Sequence, residues 1–193
     1  MLSKKCTLIT GGVRSGKSRY ACALAQQITG KRVFIATAQA FDEGMSVRIK
    51  KHQEERGNEF MTFEEPLYLA RVIGQASARS QVVLVDCLTF WLNNLYHHFK
   101  DDHGKIRQQF DLFLAVLANP PARIIMVTNE VGLGVMPDNR LARTFIDELG
   151  SLNQKVAQSS EEVILMTAGI AQFIKGGSKH ESMDYSSKEH STS

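Results

Sequence analysis

One segment constrains this chain more than any other: Gly11-Gly-Val-Arg-Ser-Gly-Lys-Ser18. It follows a short apolar run, Cys6-Thr-Leu-Ile-Thr10, which reads as a buried strand. It precedes Lys17 to Ile28, where Ala21, Leu24, Ala25 and Ile28 recur at helical spacing. Strand, G-x-x-x-x-G-K-[ST] and helix in that order make a phosphate loop. The glycines let the backbone turn so that successive N–H groups point at phosphate oxygens. The helix adds the positive end of its dipole. Lys17 then reaches the β and γ phosphates, and the Ser18 hydroxyl is placed for Mg²⁺.

The rest of the chain alternates in the same way. Arg32 to Thr37, Gln81 to Asp86, Arg123 to Thr128 and Glu162 to Thr167 read as strands, with a weaker one over Gln172 to Lys175. Helices are predicted over Glu43 to Arg56, Pro66 to Ala76, Leu88 to Tyr96, Lys105 to Ala118 and Asn139 to Ser159. Such alternation predicts an α/β domain whose mostly parallel sheet is flanked by helices and binds ligands at the carboxyl ends of its strands. The run Val82-Val-Leu-Val-Asp86 is continuously apolar and ends in a carboxylate. Asp86 is expected on a strand neighbouring the phosphate-loop strand, holding Mg²⁺ directly or through water. The alternative is a cap on the helix that begins at Leu88.

Composition narrows the class. The chain has 193 residues, of which 43% are hydrophobic, which predicts one globular domain. The longest apolar run, Leu112 to Ala118, is far short of the ~18 residues a membrane span needs, and no export signal is recognisable. The net charge of +3 comes without a long basic block and argues against nucleic acid as a partner. Cys6, Cys22 and Cys87 are odd in number and far apart, which fits buried thiols in a reducing cytoplasm. Residues 176–193 have almost nothing to bury and are expected to be a disordered tail beyond a nucleotide-binding domain of residues 1–175.

A phosphate loop alone leaves two classes open: a small-molecule kinase or nucleotidyltransferase, and a switch or motor ATPase acting on nucleic acid or protein. On the predicted helix after the second strand, Arg48, His52 and Arg56 share one face. That face is either solvated or presents a neutral imidazole between two phosphate-binding cations, a competent nucleophile toward phosphorus. His97, His98 and His103 lack chelating spacing and are expected in an exposed loop.

Several further runs carry a resemblance. Gly11 to Arg19, Ile35-Ala-Thr-Ala38, Arg48-Ile-x-x-His52 with Arg56, and Thr62-Phe-Glu-Glu-Pro66 are among them. So are Val85-Asp-Cys-Leu-Thr89, Trp91-Leu-Asn-Asn-Leu95, Thr128 to Arg143, Leu152-Asn-Gln154 and Ala168-Gly-Ile170. In this order they closely resemble the bifunctional adenosylcobinamide kinase / adenosylcobinamide-phosphate guanylyltransferase family, over essentially residues 6–175. The resemblance implies a P-loop NTPase fold with RecA-like strand order, a cytoplasmic homotrimer, and Mg²⁺ with ATP and GTP as substrates. It implies phosphorylation of adenosylcobinamide, then transfer of GMP from GTP through a guanylylated histidine, which falls on His52. The nucleotide contacts it implies are Gly11, Gly12, Val13, Arg14, Ser15, Gly16, Lys17, Ser18, Thr37, Ala38, Gln39, Gln53, Glu54, Glu55, Arg56, Glu64 and Asp86. Ser18 and Asp86 would hold the metal, and Lys17 and His52 would be catalytic. The family pattern continues its histidine with Arg, where this chain has Gln53, and carries Trp where this chain has Phe60.

Overall fold

The computed structural model describes residues 6–39, 59–100 and 102–176. The elements run β1 (Cys6–Gly11), α1 (Lys17–Gln26), β2 (Arg32–Ala36), β3 (Met61–Glu64), α2 (Leu69–Ser77), β4 (Val82–Asp86) and α3 (Leu88–Phe99). They continue with α4 (His103–Ala118), β5 (Arg123–Val127), α5 (Arg140–Ser159), β6 (Glu162–Thr167) and β7 (Ile170–Lys175). The seven strands form one sheet in the order β3-β2-β4-β5-β1-β6-β7. All pairings are parallel except β6 with β7.

The period of two along each strand sorts apolar side chains onto two faces. Cys6, Leu8, Val83, Val85, Ile124 and Met126 join the core under α2, α3, α4 and α5. Ile9, Val82, Leu84, Ile125 and Val127 face the other way, against Tyr20, Ala21 and Ala25 of α1. Burial on both faces explains why these strands read as unbroken apolar runs rather than alternating ones. Trp91 of α3 anchors the larger core. It is fully buried, with ring centroids 5.0 Å from Phe113 and 5.6 Å from Phe110, and its indole N–H donates to Leu67 O at 2.8 Å.

The strand order corrects one expectation. β1 is flanked by β5 and β6, so Asp86 at the end of β4 is not on a neighbouring strand. With strands ~4.8 Å apart, β4 lies about 10 Å from β1. A strand between the phosphate-loop strand and the carboxylate strand is the RecA-like arrangement that the resemblance implies.

Other differences are local. β3 is absent from the sequence expectation. It is a four-residue edge strand whose side chains are mostly exposed, so no apolar periodicity marks it. α2 starts at Leu69 rather than Pro66, because the Glu65 carboxylate accepts from the Leu67 and Tyr68 N–H groups and holds a turn there. β7 starts at Ile170, directly after a turn at Ala168 and Gly169, both at positive φ. That pair makes a two-residue hairpin of the kind that matches strand twist. His97 and His98 close α3 and His103 opens α4, so they lie on helix ends rather than in a loop. Among the described residues no group of potential ligands large enough to hold a metal includes them. The predicted helix over Glu43 to Arg56 and the predicted tail, apart from Gly176, lie outside the described residues.

Trp91→Phe keeps an aromatic ring but removes the indole donor and part of the packed volume. It is expected to cost about 2–4 kcal/mol of unfolding free energy. Urea denaturation followed by circular dichroism checks this; a loss under ~0.5 kcal/mol would contradict the packing described.

Candidate active site

Residues 11–18 join β1 to α1 at the carboxyl edge of the sheet. Gly11 sits at φ 147°, and a Cβ there would come within 2.3 Å of Met166 O on β6. Any side chain would therefore push β1 and β6 apart. Gly16 sits at φ 94° as the N-cap of α1, where no side chain caps the helix. The first N–H groups of α1 thus stay available, as an anion site requires. The loop is also held from the side: Gly169 N–H in the β6–β7 turn donates to Ser15 O at 3.1 Å. Gly12, Val13 and Arg14 are exposed at the tip, Ser18 is half-buried, and Ser15 is buried. The Ser15 hydroxyl finds no partner among the described residues.

Lys17 is the buried cation of the loop, 7% exposed. Its ammonium turns back to donate to Gly12 O. Burial pulls its pKa down, and Cys87 and then the Asp86 carboxylate pull it back up. Lys17 therefore feels Asp86 across the end of β5. The N-cap position of α3 is Cys87 rather than Asp86.

Thr37 follows β2 and is fully buried. Its hydroxyl donates to Cys87 O and accepts from Cys87 N–H, both at 2.8 Å. Asn94 of α3 donates to Thr37 O at 2.7 Å and to Pro66 O at 3.3 Å. These bonds fix the ends of β2 and β4 and the turn after β3 as one ledge. Ala38 is half-buried on it, while Gln39 and Glu64 are exposed at its rim. His52, Gln53, Glu54, Glu55 and Arg56 lie outside the described residues.

Neither buried thiol is a nucleophile at neutral pH. Burial, and then Asp86, push Cys87 up to about 12. Burial, and then Glu161, push Cys6 up to about 12 as well. None of the three cysteines is in a disulfide among the described residues, and Cys22 is half-buried.

A second ledge stands on the β5 side of the loop. Thr128 N–H donates to Ile9 O at 3.0 Å, and its buried hydroxyl donates to Asn153 Oδ1 at 2.8 Å. Asn153 in turn donates to Asn129 O at 3.1 Å, and Asn129 N–H donates to Thr89 Oγ1 at 2.9 Å. Glu130 N–H donates to Gly11 O at 3.0 Å. Isolated polar residues in long helices, such as Asn153 and Thr89, carry no sequence signal of this convergence.

The family model for "Cobinamide kinase / cobinamide phosphate guanyltransferase" matches residues 7–174. The chain belongs to this family. It is 43% identical over 169 residues to the bifunctional adenosylcobalamin biosynthesis protein CobP of Pseudomonas aeruginosa, covering 88% of this chain and 96% of that one. It is 36% identical over 179 residues to the bifunctional adenosylcobalamin biosynthesis protein CobU of Escherichia coli, covering 87% and 98% of the two chains. Among solved structures, an ATPase of a bacterial type III secretion system superposes with a TM-score of 0.51 at 11% identity. That match covers 85% of this chain and about half (51%) of the ATPase, and it shows a shared P-loop fold. Kinase and guanyltransferase family membership does not favour the switch or motor class. No helix among the described residues is long and apolar enough to cross a membrane.

The Glu65 turn that supports the first ledge gives a pH test. Burial raises the Glu65 carboxyl, but the N–H groups of Tyr68 and Leu67 and the Arg71 guanidinium outweigh it and hold it below its ordinary 4.5. A depressed carboxylate stabilises the fold above its unfolded pKa and loses that contribution as pH falls through the folded one. Glu65→Gln should therefore be less stable than wild type at pH 7, with the gap closing below the ordinary carboxylate range. Thermal melts from pH 7 to pH 3 check this; a gap independent of pH would contradict it.

Proposed function

We propose that this chain phosphorylates the aminopropanol hydroxyl of adenosylcobinamide with ATP or GTP, and then transfers GMP from GTP to that phosphate, giving adenosylcobinamide-GDP. Family membership supports the pair of reactions. The observation that carries the reading in the structure is the phosphate loop, with Lys17 buried in it and Asp86 ending β4, one strand beyond β5.

Phosphoryl transfer asks mainly for position and for neutralised oxygen charge. The backbone N–H groups of residues 11–18 and the start of α1 supply fixed donors. Lys17 swings from Gly12 O to the phosphates and neutralises the transferring group. Ser18 and Asp86 are hard oxygen donors at the loop and at the carboxylate strand, a set that suits Mg²⁺, which keeps several waters and takes few protein ligands. When bound, Mg²⁺ would neutralise charge on the phosphate oxygens. Gly11 to Lys17, Thr37, Ala38, Gln39, Gln53 to Arg56, Glu64 and Asp86 form the nucleotide site in this reading.

Guanylyl transfer divides into two steps at His52. The imidazole nitrogen bonds to the α-phosphorus of GTP, and the bond to the bridging oxygen breaks as pyrophosphate leaves. A phosphate oxygen of the corrinoid then attacks the same phosphorus and displaces His52. We further propose a cytoplasmic homotrimer without a nucleic-acid partner. Residues 1–175 would form the catalytic domain and residues 176–193 a tail outside it.

GTP labelled at the α-phosphate should leave acid-labile, base-stable label on the protein, and ATP labelled likewise should leave little. His52→Ala should lose the adduct and guanylyl transfer while keeping most of the kinase step. Label retained by the variant, or none on wild type with Mg²⁺ present, would overturn the covalent route.

A further inference from the structure

The two proposed reactions differ in one chemical demand. The kinase acceptor is a hydroxyl, whose proton must leave as its oxygen bonds to phosphorus. The transferase acceptor is a phosphate, already ionised at neutral pH. A base is therefore needed for the first reaction and not for the second.

Four carboxylates among the described residues stand at or just beyond the carboxyl ends of the parallel strands β1 to β5: Glu64, Glu65, Asp86 and Glu130. Glu65 is committed to the Leu67 and Tyr68 N–H groups and to Arg71 at 3.1 Å. Glu64 ends β3, four strand spacings from β1, or about 19 Å. Asp86 is assigned to the metal. The position after it is Cys87, whose thiol is buried. Glu130 remains.

Its placement is built. β5 lies between β1 and β4, so its continuation emerges between the phosphate loop and Asp86, the same gap across which Lys17 feels that carboxylate. Glu130 N–H is bonded to Gly11 O, the first residue of the loop. The backbone at residues 128–130 is clamped from α5 by Asn153, from α3 by Thr89 and from β1 by Ile9. Buried polar groups are costly unless fully paired, and here they converge on a three-residue stretch of main chain. The Glu130 side chain is half-buried, and among the described residues no ion pair or hydrogen bond engages its carboxylate.

We propose that Glu130 is the base of the kinase step, and this rests on the function proposed above. The carboxylate takes the proton of the acceptor hydroxyl as the oxygen bonds to the γ-phosphorus. The bond from that phosphorus to the β–γ bridging oxygen breaks, and its electron pair leaves with the nucleoside diphosphate. The proton passes to solvent after the products leave. The transferase step bypasses Glu130.

The test uses the full-length chain and two acceptors. With adenosylcobinamide and ATP, Glu130→Gln should lower kcat at least ~100-fold with KM little changed. With adenosylcobinamide phosphate and GTP, the same preparation should turn over within about threefold of wild type, which also shows that it is folded. Glu130→Asp, which keeps the base but shortens its reach, should fall between. Kinase activity retained by Glu130→Gln overturns the assignment. So does parallel loss of both reactions, which would mark a shared structural role. Wild type unable to phosphorylate the corrinoid would overturn the parent reading, and this assignment with it.

Discussion

The carboxyl edge of the sheet depends on how closely β1 is pinned between its neighbours at Gly11. A Cβ at that position would meet Met166 O at 2.3 Å, so the strands can pair this far only around a glycine. The same residue accepts the Glu130 N–H through its carbonyl. One glycine thus joins the phosphate loop to β6 on one side and to the extension of β5 on the other. The β6–β7 turn adds a third support through Ser15 O. The loop is therefore a backbone cradle held from outside by main chain. Side chains enter its chemistry later, as Lys17 and Ser18.

Strand order decides which groups face that cradle. Inserting β5 between β1 and β4 sets Asp86 back by one strand and brings the main chain of residues 128–130 up to the loop. Two buried polar networks then fix the strand ends. Thr37, Cys87 and Asn94 hold the β2–β4 side, and Thr128, Asn129 and Asn153 hold the β5 side. Both networks reach into helices of the larger core, α3 and α5, so packing around Trp91 and Leu152 also sets the site. Rigid elements carrying the site in this way limit the adjustment a transferred phosphate must wait for.

Much of this was legible in the sequence. The phosphate loop could be placed because its glycines, its lysine and the flanking strand and helix all state one local geometry. The apolar runs ending at Asp86 and Thr128 announced strands buried on both faces. The register of those strands in the sheet was not legible from periodicity, because β5 and β1 look alike as apolar runs; only resemblance implied the inserted strand. β3 escaped because its four residues are mostly exposed. The start of α2 was misread because Glu65 caps the turn from outside the helix. Asn153 and Thr89 escaped for a different reason: their partners are 25 and 40 residues away along the chain.

The central claim is that the cradle is made by main-chain geometry fixed at Gly11. Calorimetric titration of Gly11→Ala with GTP and Mg²⁺ tests it most directly, with circular dichroism confirming that the sheet persists. The alanine must either leave the positive φ of Gly11 or push Met166 O away, and both disturb the N–H groups of the loop. Affinity should fall at least ~30-fold, the equivalent of about 2 kcal/mol. A folded Gly11→Ala variant that binds GTP as tightly as wild type would contradict the account.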